Sequence, residues 1–179
     1  MKIRIWMLLL GAVCLVGCSS SSNLGTGTGQ FSDGCATHLD CGPSLMCVSA
    51  ACQSAFPRTY VITMGSATVA KYKTSGSNWD ALGGAPDPRA ALEIDGKVYC
   101  QTSTKDDTFD PVWNEQCEVE LFQTTNVTVA VWDMDAAEHD PVGGVNLGTP
   151  IKDFIIQKGF YNHEDLGPLE KLNITVSLK

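Results

Sequence analysis

Large apolar residues at every second position are the feature that most constrains the fold of this chain. Leu172, Ile174 and Val176 are each separated by one polar residue, and the same spacing recurs at residues 117–121 and 127–131. Successive side chains of a β-strand point to opposite faces of a sheet, so each run is predicted to be a strand with one buried face. Many short strands joined by Gly or Pro turns predict an all-β fold, an antiparallel sandwich.

Further strands and one helical turn complete the predicted secondary structure. Strands are also predicted near residues 60–64, 67–73, 90–94 and 97–103. Residues 151–158 are predicted to be helical, because Thr149 and Pro150 suit a helix start and Gly159 suits a helix end. These elements form a main domain at residues 58–179, which is a typical size for one domain with a single core.

The amino-terminal residues resemble a secretory signal. Lys2 and Arg4 precede an apolar run at residues 5–16, which is too short to span a bilayer core of about 30 Å. The run ends in the sequence LVGC, which resembles the lipobox of bacterial lipoproteins, where cleavage precedes a cysteine that becomes lipid-modified. The resemblance implies a signal peptide at residues 1–17 and a lipid such as palmitate on Cys18. The alternative is an ordinary signal peptide with a chance cysteine.

The lipobox resemblance sets the expected location and charge of the mature protein. A serine after Cys18 resembles outer-membrane sorting, so the expected location is the bacterial cell envelope, at the outer membrane. Removing the signal takes away two of 12 basic residues and none of 20 acidic ones, which changes the formal charge from -8 to -10. Such a surface repels phosphate backbones and argues against a nucleic-acid partner. Membrane attachment is expected to depend on the lipid at Cys18.

A polar stretch and a cysteine cluster separate the signal from the main domain. Residues 18–34 have the Ser/Gly-rich composition of a flexible tether. Residues 35–52 have too few large apolar side chains for a core of their own, so their four cysteines are predicted to form a two-disulfide knot. These are Cys35, Cys41, Cys47 and Cys52, and three pairings stay open. A zinc site is the alternative, but the CxxC spacings are missing and His38 stands alone.

The remaining two cysteines, Cys100 and Cys117, lie on predicted strands on either side of a loop at residues 105–111. If those strands form a hairpin, the two cysteines face each other at a separation that suits a disulfide. A third bond, Cys100–Cys117, is therefore predicted.

Five aspartates in two separated loops are the candidate metal ligands. They are Asp80, Asp87, Asp133, Asp135 and Asp140. Carboxylate oxygens are the ligands that calcium prefers, and it takes six to eight of them. Two carboxylates 4 Å apart repel by about 1 kcal/mol in bulk water and by about 4 kcal/mol at an effective dielectric of 20, a penalty that a divalent cation removes. The alternative role, in turns, is favoured only for Asp95 and Asp106. Calcium is therefore the predicted cofactor.

Three segments, in order, carry a family resemblance. DALGGAPDP at residues 80–88, DPVWNE at 110–115 and WDMDAAEHDPVG at 132–143 resemble motifs of the C2 domain family, known from protein kinase C and synaptotagmin. The resemblance implies an eight-stranded antiparallel sandwich whose loops at one end bind calcium and often phospholipid. It also implies that Asp80 and Asp87 are first-loop ligands and that the other three aspartates are third-loop ligands. The segment around Trp113 is expected to be structural.

Loop composition shapes the functional expectation. The two acidic loops each differ by one residue from the usual family length, so the number of calcium ions stays open. The loop tips carry Leu82, Gly83, Gly84, Ala136 and Ala137, which bury little apolar area and do not predict deep insertion into a bilayer. The expected function is calcium-dependent docking to anionic phospholipid headgroups. The alternative is a surface interaction module in which calcium only rigidifies loops that hold a protein or glycan partner.

Catalytic motifs are missing from the sequence. It contains neither HExxH nor GxSxG, and its three histidines suggest no pairing of a nucleophile with a base. Metal-assisted hydrolysis of phosphate esters is the remaining enzymatic alternative. The prediction is a binding protein rather than an enzyme, because all-oxygen loops without an obvious base suit binding better than chemistry.

Overall fold

A computed structural model of the chain describes residues 28–80, 83–135 and 139–179. The predicted signal peptide at residues 1–17, the lipidation site Cys18 and tether residues 18–27 lie outside the described residues, as do Leu82, Ala136 and Ala137 of the loop tips. Where the chain is described, no helix combines the length and apolar character needed to cross a membrane.

The described part of the chain is mainly β-structure. In chain order the strands are β1 (Leu45–Val48), β2 (Ala51–Ser54), β3 (Arg58–Val69), β4 (Pro88–Ile94), β5 (Lys97–Gln101), β6 (Val112–Leu121), β7 (Val127–Met134), β8 (His139–Gly148), β9 (Phe160–Leu166) and β10 (Leu169–Leu178). One short helix, α1 (Asp153–Lys158), lies between β8 and β9. A 3-10 turn at His38–Asp40 precedes β1. The all-β class is confirmed.

Strands β3 to β10 form two four-stranded antiparallel sheets. One has the order β6-β3-β10-β9 and the other the order β5-β4-β7-β8. Apolar side chains from both sheets fill one core, where Ile62, Leu92 and Val129 are fully buried. Burying such a side chain contributes about 1.5–3 kcal/mol relative to leaving it in water. The predicted eight-stranded antiparallel sandwich is confirmed.

Several strand boundaries differ from those predicted. The segments predicted at residues 60–64 and 67–73 are joined in one strand, β3, which ends earlier than predicted, at Val69, and whose register shifts between Met64 and Ser66. Strands β8 and β9 do not follow from the alternation of side chains. β8 contains Pro141 and three glycines, which interrupt the apolar spacing, and β9 has the largely polar sequence FYNHEDL. Cross-strand pairing, rather than apolar periodicity, holds these two strands in place.

The helix is shorter than predicted. Ile151 forms a bridge with Gly148, so α1 begins two residues later, at Asp153. The predicted end is confirmed, because Gly159 adopts a left-handed conformation with φ of 74° and donates its N–H to the carbonyl of Ile155. Glycine takes this conformation without the steric cost that a side chain brings.

The predicted hairpin between the strands of Cys100 and Cys117 is wrong. β5 pairs with β4 and β6 pairs with β3, so the two strands lie at the edges of different sheets. The loop between them crosses from one sheet to the other instead of turning back on itself. The structure nevertheless joins Cys100 to Cys117, with their Cα atoms 6.4 Å apart, and the bond links the two sheets.

The cysteine cluster forms a two-disulfide knot with the pairs Cys35–Cys47 and Cys41–Cys52. These four sulfurs bind each other, so they do not form a zinc site. The knot also extends further toward the amino terminus than residue 35. The Gly29 N–H donates to the carbonyl of Asp40 at 3.0 Å, and a similar bond joins residues 32 and 52. Residues 29–34, predicted as tether, are therefore hydrogen-bonded parts of the knot.

The knot packs against the end of the sandwich where β3 begins. Met46 is 1% exposed and lies within the common core, and the Tyr60 hydroxyl contacts its sulfur at 3.5 Å. The same hydroxyl donates to the carbonyl of Ala55 at 2.6 Å. The Ser44 N–H donates to Asp153 Oδ1 of α1 at 3.0 Å. The knot, which lacks a core of its own, thus shares the core of the sandwich.

Truncation of Met46 tests this shared core. We expect Met46→Ala to lower the free energy of unfolding by about 2–5 kcal/mol, because it leaves a cavity where the knot meets the sandwich. Leu39→Ala, at a knot residue that is 51% exposed, is the matched control and should change stability little. Denaturant unfolding followed by tryptophan fluorescence measures both. Equal stabilities of the two variants would contradict a docked knot.

Candidate metal site

The candidate site lies at the end of the sandwich opposite the knot. β3 ends there at Val69, β4 begins there at Pro88 and β7 ends there at Met134. Pro88 and Asp140 are the register partners of Asp133 on the two neighbouring strands. Regular sheet pairing therefore fixes the position of Asp133 from both sides.

The three aspartates of the β7–β8 region lie close together. Asp133, Asp135 and Asp140 each offer a carboxylate oxygen, and these oxygens lie within 4.8 Å of one another. Asp133 and Asp135 share one face of the chain because they are two residues apart at the end of a strand. Asp140 faces Asp133 from the first residues of β8.

Asp133 is the most buried of the candidate ligands, with 0% of its surface exposed. Its Oδ1 accepts the backbone N–H of Asp87 at 2.7 Å, but its Oδ2 is buried and has no hydrogen-bond partner among the described residues. Burial raises the pKa of Asp133, and the negative charges of Asp135 and Asp80 raise it further against the opposing Asp87 N–H. A buried carboxylate oxygen without a partner is costly, and a cation bound beside it offsets that cost.

Asp87 and Asp80 join this group from the long loop between β3 and β4. The carbonyl of Asp87 accepts the N–H of Met134 at 3.1 Å, which ties the loop to the end of β7. The Asp80 and Asp135 side chains lie close enough for their negative charges to interact. Partial burial and then the charge of Asp135 raise the pKa of Asp80. The structure thus brings all five predicted aspartates to one end of the sandwich.

A sixth acidic residue, Asp107, belongs to the same end and was missed in the sequence. It adopts a left-handed conformation with φ of 48°, and its N–H donates to Asp87 Oδ1 at 2.7 Å. A side chain at Gly84 would collide with Asp80 Oδ2 and would place its Cβ 3.4 Å from Asp107 Oδ1. The loop that carries Asp107 crosses between the sheets at this end. A prediction of that crossover, instead of a hairpin, would have revealed the residue.

Lys73 is the second residue that the sequence reasoning missed. Its Nζ lies 2.5 Å from Asp140 Oδ2 and 5.4 Å from the centre of the Trp79 ring. The hydrogen bond to Asp140 raises the pKa of Lys73, and the charges of Asp133 and Asp135 act in the same direction. No motif marks this lysine in the sequence, because only the folded loop brings it to β8.

The other acidic residues that the sequence singled out serve turns. Asp95, with φ of 51°, accepts the N–H of Asn126 at 2.9 Å, and Asp106 is exposed. In the segment around the buried Trp113, Glu115 accepts the Ser103 hydroxyl at 2.6 Å, and this bond lowers the pKa of Glu115. These contacts are structural, as expected for that segment.

The histidines occupy three different places. His38 accepts the Cys47 N–H within the knot at 3.0 Å, and the ring of His163 stacks on Tyr161 in β9. His139 lies at the start of β8, opposite Met134. Of the described histidines, His139 thus lies at the acidic end, and the other two lie in the knot and on β9.

Comparison with known families agrees with this architecture. The family model of the C2 domain matches residues 65–163, which is more than half of the 179 residues. The chain belongs to the C2 domain family.

Solved structures that contain C2 domains have the same fold. A calcium-bound structure of two C2 domains of extended synaptotagmin 2 matches with a TM-score of 0.53 and 18% identity, over 68% of this chain and 45% of that chain. Human GIVD cytosolic phospholipase A2 in complex with methyl gamma-linolenyl fluorophosphonate matches with a TM-score of 0.51 and 18% identity, over 68% and 17%. This chain therefore spans less than half of either protein.

A single-domain structure is matched over most of its length. One C2 domain of plant extended synaptotagmin 1 has a TM-score of 0.52 and 16% identity, over 67% of this chain and 92% of that chain. At such identities the likeness concerns the fold alone.

The pH dependence of stability tests the repulsion at the acidic end. The pKa of Asp133 is raised above its ordinary value of 3.8, so its stabilising contribution is present below that value and is lost as the pH rises through the folded-state pKa. In chelator, we expect Asp133→Asn to be more stable than the wild type at about pH 7, by on the order of 1 kcal/mol. The difference should shrink at about pH 3.5, below the raised pKa of Asp133, because the protonated carboxyl is then uncharged like the asparagine side chain.

Glu120→Gln, at an exposed position on β6, is the control for loss of one negative charge. Its stability relative to the wild type should depend little on pH. Thermal unfolding in chelator at both pH values measures all three proteins. A wild type more stable than Asp133→Asn at neutral pH would contradict a repulsive cluster.

Proposed function

We propose that this chain is a calcium-binding C2 module that docks onto anionic phospholipid headgroups in a calcium-dependent way. The observation that carries the proposal is the buried Oδ2 of Asp133, which lacks a partner among the described residues and lies in a group of acidic side chains. If position 133 had only a structural role, an apolar side chain or a fully hydrogen-bonded polar one would be more stable there.

The donor chemistry supports calcium as the cation. Five carboxylates would hold it, and they are Asp80, Asp87, Asp133, Asp135 and Asp140. All are hard oxygen donors, which suit calcium or magnesium rather than zinc or copper. They come from loops as well as from strand ends, and this favours calcium, which tolerates irregular coordination, over magnesium. The calcium-bound state of extended synaptotagmin 2, a C2 protein of the same fold, adds support.

Charge at the acidic end supports calcium dependence of the docking. Without a cation, this end repels anionic headgroups, because at least six aspartates are gathered there and only one close ammonium, that of Lys73, is seen among the described residues. Bound calcium would remove much of the negative charge and allow anionic headgroups to approach. Gly83 and Gly84 of the first loop offer little apolar area, so the docking is shallow and electrostatic.

The two ends of the molecule support docking away from the anchor. The acidic end and the knot lie at opposite ends of β3, whose 12 residues extend over about 40 Å. In the proposed lipoprotein, about ten residues separate Cys18 from the knot, and a flexible chain of that length has an average end-to-end distance of about 20 Å. In that proposed arrangement, the acidic end would lie on the far side of the domain from the lipid and from the outer membrane of the bacterial envelope. A second membrane is the more accessible target.

We propose a binding role without catalysis. The acidic end offers carboxylates, His139 and one lysine that is already paired with Asp140. Hydrolysis of a phosphate ester would also require a group that activates water, and the described histidines lie in three different places. Sustained phosphodiesterase activity with added calcium or magnesium, abolished by Asp133→Asn, would contradict this role.

Replacement of Asp135 tests the calcium site. Asp135→Asn removes one charged ligand without emptying a buried position, so we expect calcium affinity to fall at least tenfold, or about 1.4 kcal/mol. The matched control is Asp106→Asn, which removes the same charge from an exposed position and should bind calcium as the wild type does. Calorimetric titration up to about 10 mM calcium measures the affinity, since extracellular modules bind at about 0.1–1 mM. No heat and no thermal shift for the wild type would overturn the proposal.

Flotation with liposomes tests the docking. The full chain carrying Cys18→Ser, which cannot receive a lipid, should float with vesicles of anionic phospholipid only when calcium is present, and should not float with neutral vesicles. Adding Asp135→Asn should abolish the flotation. Calcium binding without flotation would instead favour the alternative, in which calcium rigidifies loops that hold a protein or glycan partner. Clustering of vesicles by the lipidated protein with calcium would support a second membrane as the target.

A further inference from the structure

We propose that Lys73 is a built-in counter-cation of the acidic site and competes with calcium for Asp140. The inference deepens the proposed function, because it concerns how the same site takes up its cation. Lys73 Nζ lies 2.5 Å from Asp140 Oδ2, and Asp140 in turn has a carboxylate oxygen within 4.8 Å of oxygens of Asp133 and Asp135. The ammonium is therefore in direct contact with one member of the acidic group.

The position of this ammonium is fixed by the loop that carries it. The Lys73 N–H donates to the carbonyl of Ser77 at 2.9 Å, and the Lys73 carbonyl accepts the Gly76 N–H at 2.8 Å, which closes a tight turn. The ring of Trp79 lies 5.4 Å from Nζ and is anchored in the core, where its own N–H donates to the carbonyl of Ala70 at 2.8 Å. Only 22% of the Lys73 side chain is exposed. A freely moving surface lysine would not be held between an aromatic face and a carboxylate in this way.

Competition follows from the charge of the two cations. Asp140 Oδ2 is hydrogen-bonded to the ammonium, so it is not free to bind a metal ion while Lys73 stays in place. A divalent ion among the same carboxylates would also repel the ammonium, because like charges at such short range are strongly unfavourable where solvent is partly excluded. The site must therefore either release Lys73 or bind calcium without the full use of Asp140.

The contact between Lys73 and Asp140 stabilises the folded protein when calcium is absent. Six aspartates gathered at one end destabilise the folded state, and Lys73 neutralises part of that charge. It thereby stabilises the calcium-free fold and, for the same reason, raises the calcium concentration at which the site fills. Lys73 thus sets the affinity of the site in the direction of weaker binding.

Lys71 provides a matched control within the same loop. Its side chain is exposed, and its Nζ lies 5.5 Å from the centre of the Tyr72 ring. Replacing it changes the net charge of the protein as much as replacing Lys73 does. Any difference between the two variants therefore reports the contact with Asp140, and not the general effect of one positive charge.

Calcium titration of four proteins tests the inference. The full chain with wild-type sequence, Lys73→Met, Lys73→Arg and Lys71→Met are compared by calorimetry, and their thermal unfolding is followed in chelator and in about 10 mM calcium. We expect Lys73→Met to bind calcium at least tenfold more tightly than the wild type, or to bind an additional ion. It should also unfold at a lower temperature in chelator, so that its calcium-induced shift is larger. Lys73→Arg, which keeps the charge, and Lys71→Met should both bind within about threefold of the wild type, less than about 0.7 kcal/mol.

The outcomes separate this inference from the calcium proposal itself. If the wild type binds calcium and Lys73→Met binds equally or more weakly, the inference is overturned and the calcium site remains. If the wild type gives no heat but Lys73→Met binds, the competition is supported, and calcium binding by the wild-type chain is contradicted. If neither binds at about 10 mM calcium, both proposals fail.

Discussion

The rest of the acidic end depends on the burial of one carboxylate at the end of a central strand. Asp133 continues the alternation of β7, and its neighbours on β4 and β8 hold it in register, so it cannot turn out to solvent without breaking the sheet. The sheet is thereby destabilised by a charged group that apolar packing does not need. The Asp87 N–H compensates for it at one oxygen, whereas the neighbouring acidic side chains add to the electrostatic repulsion.

The negative charge of these carboxylates can be balanced by groups of the chain itself or by a bound cation. The Asp87 N–H and the Lys73 ammonium are supplied by the chain itself, and they act on different members of the group. Neither reaches Oδ2 of Asp133, the oxygen without a described partner. In a site that holds no metal, a hydrogen-bond donor of the chain itself would be expected to contact that oxygen. This buried oxygen is therefore the strongest local argument for an external cation, and the Lys73 contact explains how the fold tolerates the cation's absence.

Strands with regular apolar alternation could be predicted from the sequence. Strands without that alternation, and residues placed by loop crossings, could not. Strands such as β6 and β10 follow period-two burial closely, because one face of each meets the core and the other meets water. β8 and β9 are held by neighbouring strands despite their glycines or polar residues. The spacing of apolar residues does not reveal such pairing. The five aspartates were found because residue type and motif order both marked them. Asp107 and Lys73 depend on where loops cross, which is a property of the whole topology and not of any local pattern.

The position of the knot determines at which end of the domain the preceding chain enters. Met46 and the junction residues Ala55 and Phe56 are buried in the common core, so the knot is a fixed part of the end at which β3 begins. A freely jointed knot would allow the sandwich to face any way relative to whatever precedes it. Because the knot is fixed, any attachment that continues from Gly29 leaves the molecule at the end opposite Asp133. The acidic loops therefore lie at the end of the domain away from the point at which the preceding chain enters the knot.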